Sequence, residues 1–366
     1  VKGRVEQKDR LFQGVLSKYF DDYWEDSYTY LFVGTYQKLV YSTILNLQQF
    51  AFQSATNKNI KPIAGLRPAT LIVTGSSEFC RMSNKQQRGQ TMIVITGASG
   101  MLGQLILKEL LKSVAANELV AAVRSPQKVA DFASLGVQVR QIDYDRPNTL
   151  EAAFTDAEKV LLISGSEVGS RVPQHANVIN ACKNADVKLL AYTSLLHADS
   201  SPLPLAAEHQ QTEILLQESG LPHVILRHGW YTENYTAGIA AALEYGVLMG
   251  CAGEGKIASA TRADYAAAAA VLLTSDRTDK VYELAGDEAY TLSEFAAELS
   301  RQSDKTVQYQ NLSQDDYSRA LQDAGLPQPI ALMLAESDTG ASKGGLFDDS
   351  KTLSQLIGRP TTPLSG

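Results

Sequence analysis

From Met92 onward the chain alternates between two hydrophobic rhythms. Apolar runs of strand length, "MIVIT", "LVAAVR", "VQVRQID", "KVLLIS", "KLLAYTS" and "HVILRHG", are continuous rather than alternating. That is the pattern of parallel strands covered on both faces. Between them stand segments of helical length such as "MLGQLILKELLKSV" and "LAAEHQQTEILLQESG". Strand–helix–strand alternation at this spacing predicts a doubly wound α/β fold, a Rossmann-type parallel sheet, over residues 92–228. After Gly229 the rhythm loosens. "ADYAAAAAVLLTS" and "TLSEFAAELSRQS" read as helices, with short strands such as "VYELAG" between them. This predicts a smaller α/β subdomain on the substrate side over residues 229–366.

Residues 1–91 show neither rhythm. They hold an aromatic cluster, "KYFDDYWEDSYTYLF", and a polar run, "SATNKNIKPIAGLRP". Charge divides the chain at the same place. The first 91 residues carry 12 basic and 7 acidic side chains, a net of +5, while the remainder carries 21 and 33, a net of -12. The expectation is a poorly ordered or adventitious N-terminal extension. Just before Met92 stands "RGQT", whose Arg and Gly codons can spell a purine-rich ribosome-binding sequence. Met92 is therefore the expected native start.

Composition narrows the function classes. The 366 residues are 44% hydrophobic and 20% charged, enough for one large domain or two smaller ones. A net charge of -7 gives no basic field for nucleic acid. Cys80, Cys182 and Cys251 lie far apart, which fits neither a metal site nor a disulfide framework and points to a reducing cytoplasm. No apolar run approaches the roughly 20 residues of a membrane span, and "VKGRVEQKDRLF" lacks the apolar core of a signal peptide.

The densest chemistry sits in "TMIVITGASGMLGQLILKELL", where a strand, a glycine loop and a helix follow one another. Gly97, Ala98, Ser99, Gly100, Met101, Leu102 and Gly103 form the loop, with the glycines spaced G-x-x-G-x-x-G. Gly97 permits the tight turn, Gly100 lets backbone approach a pyrophosphate, and Gly103 lets the helix pack close to the sheet. The phosphates would rest on N–H groups at the positive end of the helix. No Lys-Ser/Thr follows, so the loop is not a P-loop.

The end of the second strand discriminates between dinucleotides. An Asp or Glu there bonds the ribose 2′-hydroxyl of NAD. Here Arg124 takes the place, with Ser125 and Lys128 nearby. A guanidinium suits a 2′-phosphate, so NADP(H) is expected. Further strand ends should line the same crevice: Asp143 near the adenine, and Ser164, Gly165 and Ser166 beside the ribose and pyrophosphate. Each also reads as a cap or turn residue.

The reaction is narrowed by an omission. A short-chain dehydrogenase working on alcohols and ketones needs Tyr-x-x-x-Lys, whose lysine lowers the tyrosine pKa for proton exchange. The corresponding helix here carries His209-x-x-x-Glu213. Hydride transfer then suits an acceptor that needs little acid catalysis, such as a quinone, whose reduced form is aromatic and delocalised. The segment "RHGWYTENY" leaves the sixth strand at its carboxyl end, where the site belongs. Trp230 and Tyr231 offer flat surfaces for a quinone, although core packing fits Trp230 equally well. Asn234 reads as a site residue or as a cap. His197 and His209 are candidate proton donors, with structural roles favoured; Lys256 and Arg262 are candidate anion contacts or solvated loop residues.

"TGASGMLG", "VRSPQK", "LLISGSEVGSRVPQHANVINA", "AYTSLLHADSSPL", "LRHGWYTENY", "GKIASATRADYAAAAA" and "ASKGGLFDDSKTLSQLIG" together span essentially all of 92–360. Through them the chain resembles the NmrA-like group of atypical short-chain dehydrogenases, and within it the bacterial NADPH-dependent quinone oxidoreductases of type 2. The resemblance implies flavin-free hydride transfer from NADPH to a quinone. It implies cofactor contacts at Gly97 to Leu102, Arg124, Ser164 to Ser166 and the Gly229 to Asn234 stretch. Asn234, Trp230 and Tyr231 would then stand near the nicotinamide and the quinone. It also implies that members continue past "TTPLSG". The contrasting expectation is a redox-sensing regulator, since some NmrA-like proteins bind dinucleotide without turnover; a weaker one is reduction of an activated alkene or a carbonyl. The oligomeric state, monomer or homo-oligomer, is left open.

Overall fold

Seven parallel strands form the main sheet, in the order β3-β2-β1-β4-β5-β6-β8. A computed structural model describes residues 91–275 and 281–366. The expectations for the N-terminal extension and Cys80 lie outside the described residues. The strands are β1 (Met92–Thr96), β2 (Leu119–Val123), β3 (Gln138–Gln141), β4 (Ala157–Leu162), β5 (Leu189–Leu195), β6 (His223–His228), β7 (Val247–Gly250), β8 (Val281–Leu284) and β9 (Gln308–Asn311). β7 and β9 pair separately as a small parallel sheet.

The continuous apolar runs have the expected cause. Along β1 every residue is buried, Ile93 and Ile95 entering one core and Met92 and Val94 the other. The two cores are the two faces of the sheet. Helices α1 (Met101–Leu110) and α2 (Ala130–Ser134) line one face, and α3 (Pro147–Phe154), α4 (Arg171–Asn184) and α5 (Ala206–Ser219) the other. After β6 come α6 (Thr232–Thr236), α7 (Ile239–Tyr245) and α8 (Arg262–Thr274). They are followed by α9 (Leu292–Ser303), α10 (Gln314–Asp323), α11 (Gln328–Ser342) and α12 (Thr352–Ile357). A third core, around Trp230, Tyr235, Leu292 and Phe295, is built mainly by the segment beyond β6, with Leu195, Leu203 and Ala206 added from before it.

The chain does not leave the main sheet at 228/229. β8 lies beside β6, pairing Ile225 with Val281 and His228 with Leu284. α8 and α12 bury Ala266, Ala269, Leu353 and Leu356 in the same core as α1. The strand "VYELAG" is real, but each of its paired residues meets one 56 positions earlier, and local rhythm carries no information about that.

Cys182 and Cys251 are free and buried. No group of three or more His, Cys, Asp or Glu among the described residues is arranged to hold a metal. Among the same residues no helix is long and apolar enough to cross a membrane.

Candidate functional site

The sheet order reverses direction between β1 and β4, so the loops leaving their carboxyl ends part and leave a crevice. Thr96, the last residue of β1, ties the two strands together. Its hydroxyl donates to Leu161 O at 3.0 Å and accepts from the Ile163 N–H at 3.1 Å. The Tyr144 hydroxyl reaches Thr96 Oγ1 at 2.5 Å and Ile163 O at 3.1 Å. Burial raises the pKa of that phenol, so Tyr144 stays a neutral brace.

The glycine loop turns on this brace. Gly97 has φ +58°, a left-handed conformation that side chains adopt at a cost. Its carbonyl accepts from the Gly100 N–H at 3.0 Å. A Cβ on Gly103 would stand 2.5 Å from Gly97 O and 2.7 Å from Ala98 Cα, so only glycine lets α1 pack against the loop. No side chain caps the α1 N-terminus, and its first turn carries no acid. Its N–H groups and the positive end of its dipole therefore face the crevice uncompensated, as an anionic pyrophosphate requires. Met101 is exposed at this mouth, while Ala98 and Leu102 are buried beneath it.

Arg124 follows β2 and is exposed, with Lys128 exposed nearby and Ser125 partly buried. Its Nη1 donates to Glu167 Oε1 at 2.8 Å. Glu167 Oε2 accepts from Gln174 at 3.0 Å. Both members of the Arg124–Glu167 pair are largely solvated, and such pairs contribute about 0–1 kcal/mol. A phosphate can therefore displace the carboxylate. Asp143 stands at the end of β3 with Oδ1 accepting from the Asp145 N–H at 3.1 Å and Oδ2 3.6 Å from Arg146, so its side chain shapes a turn.

Ser164, Gly165 and Ser166 leave β4 opposite the glycine loop. The Ser164 N–H donates to Thr193 Oγ1 at 2.9 Å, and the Gly165 N–H to His175 Nε2 at 3.0 Å. The Gly165 carbonyl accepts from Arg171 Nε at 2.5 Å. The backbone of 164–165 is thus pinned, and Ser166 is exposed at its tip. His175 accepts from Gly165 as a neutral ring. Burial first, and then the Arg171 charge, push its pKa down to about 4.

The third wall is the exit from β6. Gly229 donates to Leu284 O at 2.7 Å, holding the exit against β8. Of the two readings for Trp230, the structure shows core packing: the residue is 6% exposed and lies in the third core with Tyr235, Ile257 and Phe295. Its large apolar area is worth more in that core than at the crevice. Tyr231 and Asn234 are partly exposed. The Tyr231 hydroxyl lies 3.1 Å from His228 Nδ1, and its ring meets Tyr265 edge-on at 5.3 Å. Burial pushes the Tyr231 phenol up to about 12 and the His228 imidazole down to about 3. Asn234 Oδ1 accepts from Arg262 Nη2 at 3.0 Å.

Several candidates lie elsewhere or are otherwise engaged. His197 has φ +52° and faces Glu283 and Asp348. Lys256 is exposed. His209 is buried and bonds the Tyr192 hydroxyl at 2.8 Å, and burial pushes its pKa down to about 3. Glu213 accepts from Ser194 at 2.5 Å and from Arg227 at 2.7 and 3.0 Å. The helix positions where Tyr-x-x-x-Lys would work thus face the sheet and spend their hydrogen bonds on β5 and β6. Sequence reasoning missed Tyr144, Glu167, Glu233 and the link from Arg262 to Asn234. Each depends on a contact between distant segments.

The comparisons with known proteins agree with this geometry. A family model described as NAD(P)H-binding matches residues 97–276. The chain is 60% identical over 275 residues to Quinone oxidoreductase 2 of Escherichia coli (strain K12), covering 75% of this chain and 96% of that protein. The chain belongs to the NAD(P)H-binding, NmrA-like family. A more distant relative, the NmrA-like family domain-containing oxidoreductase flvB of Aspergillus flavus, is 28% identical over 281 residues, or 74% of this chain and 91% of that one. Among solved structures, the Escherichia coli NADPH-dependent quinone oxidoreductase complexed with NADPH superposes with a TM-score of 0.74 at 59% identity, covering 75% of this chain and 97% of that one. The matched stretch, residues 97–276, contains the glycine loop, Arg124, the Ser164 loop and the β6 exit.

Proposed function

We propose that this protein reduces quinones with NADPH by direct hydride transfer, without a flavin. The observation that carries the reading is a crevice prepared for a dinucleotide phosphate beside a helix with no free acid–base dyad. The high identity to Escherichia coli Quinone oxidoreductase 2 supports it. Residues 97–103 hold the pyrophosphate on the N–H groups of α1. Arg124 exchanges Glu167 for the 2′-phosphate and so favours NADPH over NADH. The pinned backbone at 164–165 closes the opposite wall and Ser166 meets the ribose. NADPH supplies the hydride when bound.

Tyr231 and Asn234 line the substrate side, with the amide of Asn234 donating to a quinone oxygen as negative charge develops there. A quinone that gains a hydride needs one proton to become the hydroquinone. Its reduced oxygen is delocalised enough to take that proton from water, which explains a site without Tyr-x-x-x-Lys. We place the dinucleotide-binding part at residues 92–228 together with β8, and the substrate side in the rest of 229–366. The setting is the cytoplasm.

The test is NADPH consumption by flavin-free protein with 1,4-benzoquinone. Steady oxidation that needs the quinone is expected. Tight NADPH binding with no turnover across several quinones would transfer the protein to the sensing class.

A further inference from the structure

Asn234 is held by one residue from a distant element. Arg262 is the first residue of α8, and α8 starts beside α6. The junction is reciprocal. The Arg262 backbone N–H donates to Glu233 Oε1 at 2.9 Å and Oε2 at 3.2 Å, so an acid of α6 compensates the N-terminus of α8. The Arg262 side chain then returns to α6. Its Nη2 donates to Asn234 Oδ1 at 3.0 Å, and its Nη1 lies 3.4 Å from Glu233 Oε2. Its Cζ stands 4.3 Å from the centroid of the Tyr231 ring. The Arg262 side chain is only 13% exposed.

An amide has one accepting end and one donating end, and a guanidinium only donates. The Asn234 atom facing Arg262 must therefore be the oxygen. Its Nδ2 has no hydrogen-bond partner among the described residues and is not among the buried polar atoms left without one. The donating end of the amide thus points away from α8 and remains open to a ligand.

We propose that Arg262 is the positioning residue that fixes the Asn234 side chain with its amide nitrogen presented to the substrate oxygen. The proposal rests on the assignment of Asn234 to the substrate side made above. The planar fork is essential to it. One group has to bond Asn234, face Glu233 and lie over Tyr231 at the same time, which a single ammonium on a flexible stem cannot do. Removing one donor aimed at a developing oxyanion costs about 100-fold in kcat. An untethered Asn234 amide should lose most of that factor.

The experiment compares wild type with Asn234→Ala, Arg262→Met, the double variant and Arg262→Lys. Three readouts are taken: quinone reduction, NADPH affinity by titration, and the nitrogen-15 side-chain amide resonances of Asn234 in the free protein. Arg262→Met is expected to lower kcat about 100-fold, leave NADPH affinity within about twofold, and shift and broaden the Asn234 amide pair. The double variant should be no slower than the slower single variant, because the two residues act as one unit. Losses that multiply, an unmoved amide resonance, or a parallel fall in NADPH affinity would overturn the proposal and leave Arg262 as a structural tie between α6 and α8.

Arg262→Lys keeps a charge beside Glu233 and serves if the methionine variant is unstable. It should lose at least about tenfold in kcat, and wild-type kcat in that variant contradicts the proposal. If wild type turns over quinone while Asn234→Ala matches it, the assignment of Asn234 falls and the positioning role with it, but the reductase reading stands. If wild type turns over no quinone, the functional reading itself fails.

Discussion

At the scale of single residues, the contrast between Arg124 and Trp230 shows what a sequence can reveal. Arg124 could be put forward from sequence because its proposed role depends only on its place after a strand, and the structure puts it there, exposed and bonded to Glu167. Trp230 was ambiguous because a large aromatic ring serves a core or a site equally well, and only the packing around it decides. Asn234 was legible as a site candidate, but its orientation was not, since that comes from Arg262, 28 positions away. Arg124→Ala is expected to raise the KM for NADPH about tenfold or more, roughly 1.4 kcal/mol per decade, because two charge-assisted bonds to the phosphate are lost. The KM for NADH and both kcat values should stay within about twofold. Initial rates with the two coenzymes check this, and equal losses for both would refute the phosphate contact.

At the scale of elements, the strands and their faces followed from the hydrophobic rhythm, but the return of β8 to the main sheet did not. That return is secured by charge. Arg227 of β6 bonds Glu213 of α5 at 2.7 Å and Glu283 of β8 at 2.7 Å, and it lies 3.2 Å from Asp199. Glu213 is 4% exposed and also accepts from Ser194. Sequence alone shows these as four scattered charges. Arg227→Met strands the buried Glu213 carboxylate and is expected to cost about 3 kcal/mol, the lower end for a broken buried pair. Adding Glu213→Leu should recover part of the loss. Urea unfolding of wild type, the two single variants and the double variant measures both, and additive destabilisation in the double variant would show that the charges are not coupled.

At the scale of the whole molecule, three buried imidazoles give the fold a defined response to acid. Burial holds His175 near a pKa of about 4 and His209 and His228 near about 3. In the unfolded chain each titrates near about 6.5. Folded pKa values below unfolded ones mean that the unfolded chain takes up protons first as pH falls. The stabilisation is whole above about pH 6.5 and drains away as pH drops toward the folded values. Asp338 opposes this. It is buried against the Tyr235 hydroxyl and the Cys251 N–H, and burial pushes it up to about 6. It makes the fold hold a proton that the unfolded chain releases between about pH 4 and 6. Three histidines outweigh one aspartate, so the folding free energy should fall steadily from pH 6.5 to pH 4.5. His209→Gln, which retains a partner for Tyr192, should flatten the slope by about one proton. Denaturant melts across this range test the sum, and a stability independent of pH there would contradict the buried neutral rings.

The central claim is that hydride passes directly from NADPH to a quinone across the crevice between the glycine loop, the Ser164 loop and the β6 exit. Its most direct test is a single turnover of flavin-free protein with NADPH carrying deuterium at the transferred position, mixed rapidly with a benzoquinone. The account predicts one hydroquinone formed per NADPH oxidised, and a rate several-fold slower with deuterium than with hydrogen. Oxidation that proceeds only after a flavin is added, or that does not need the quinone, would contradict it.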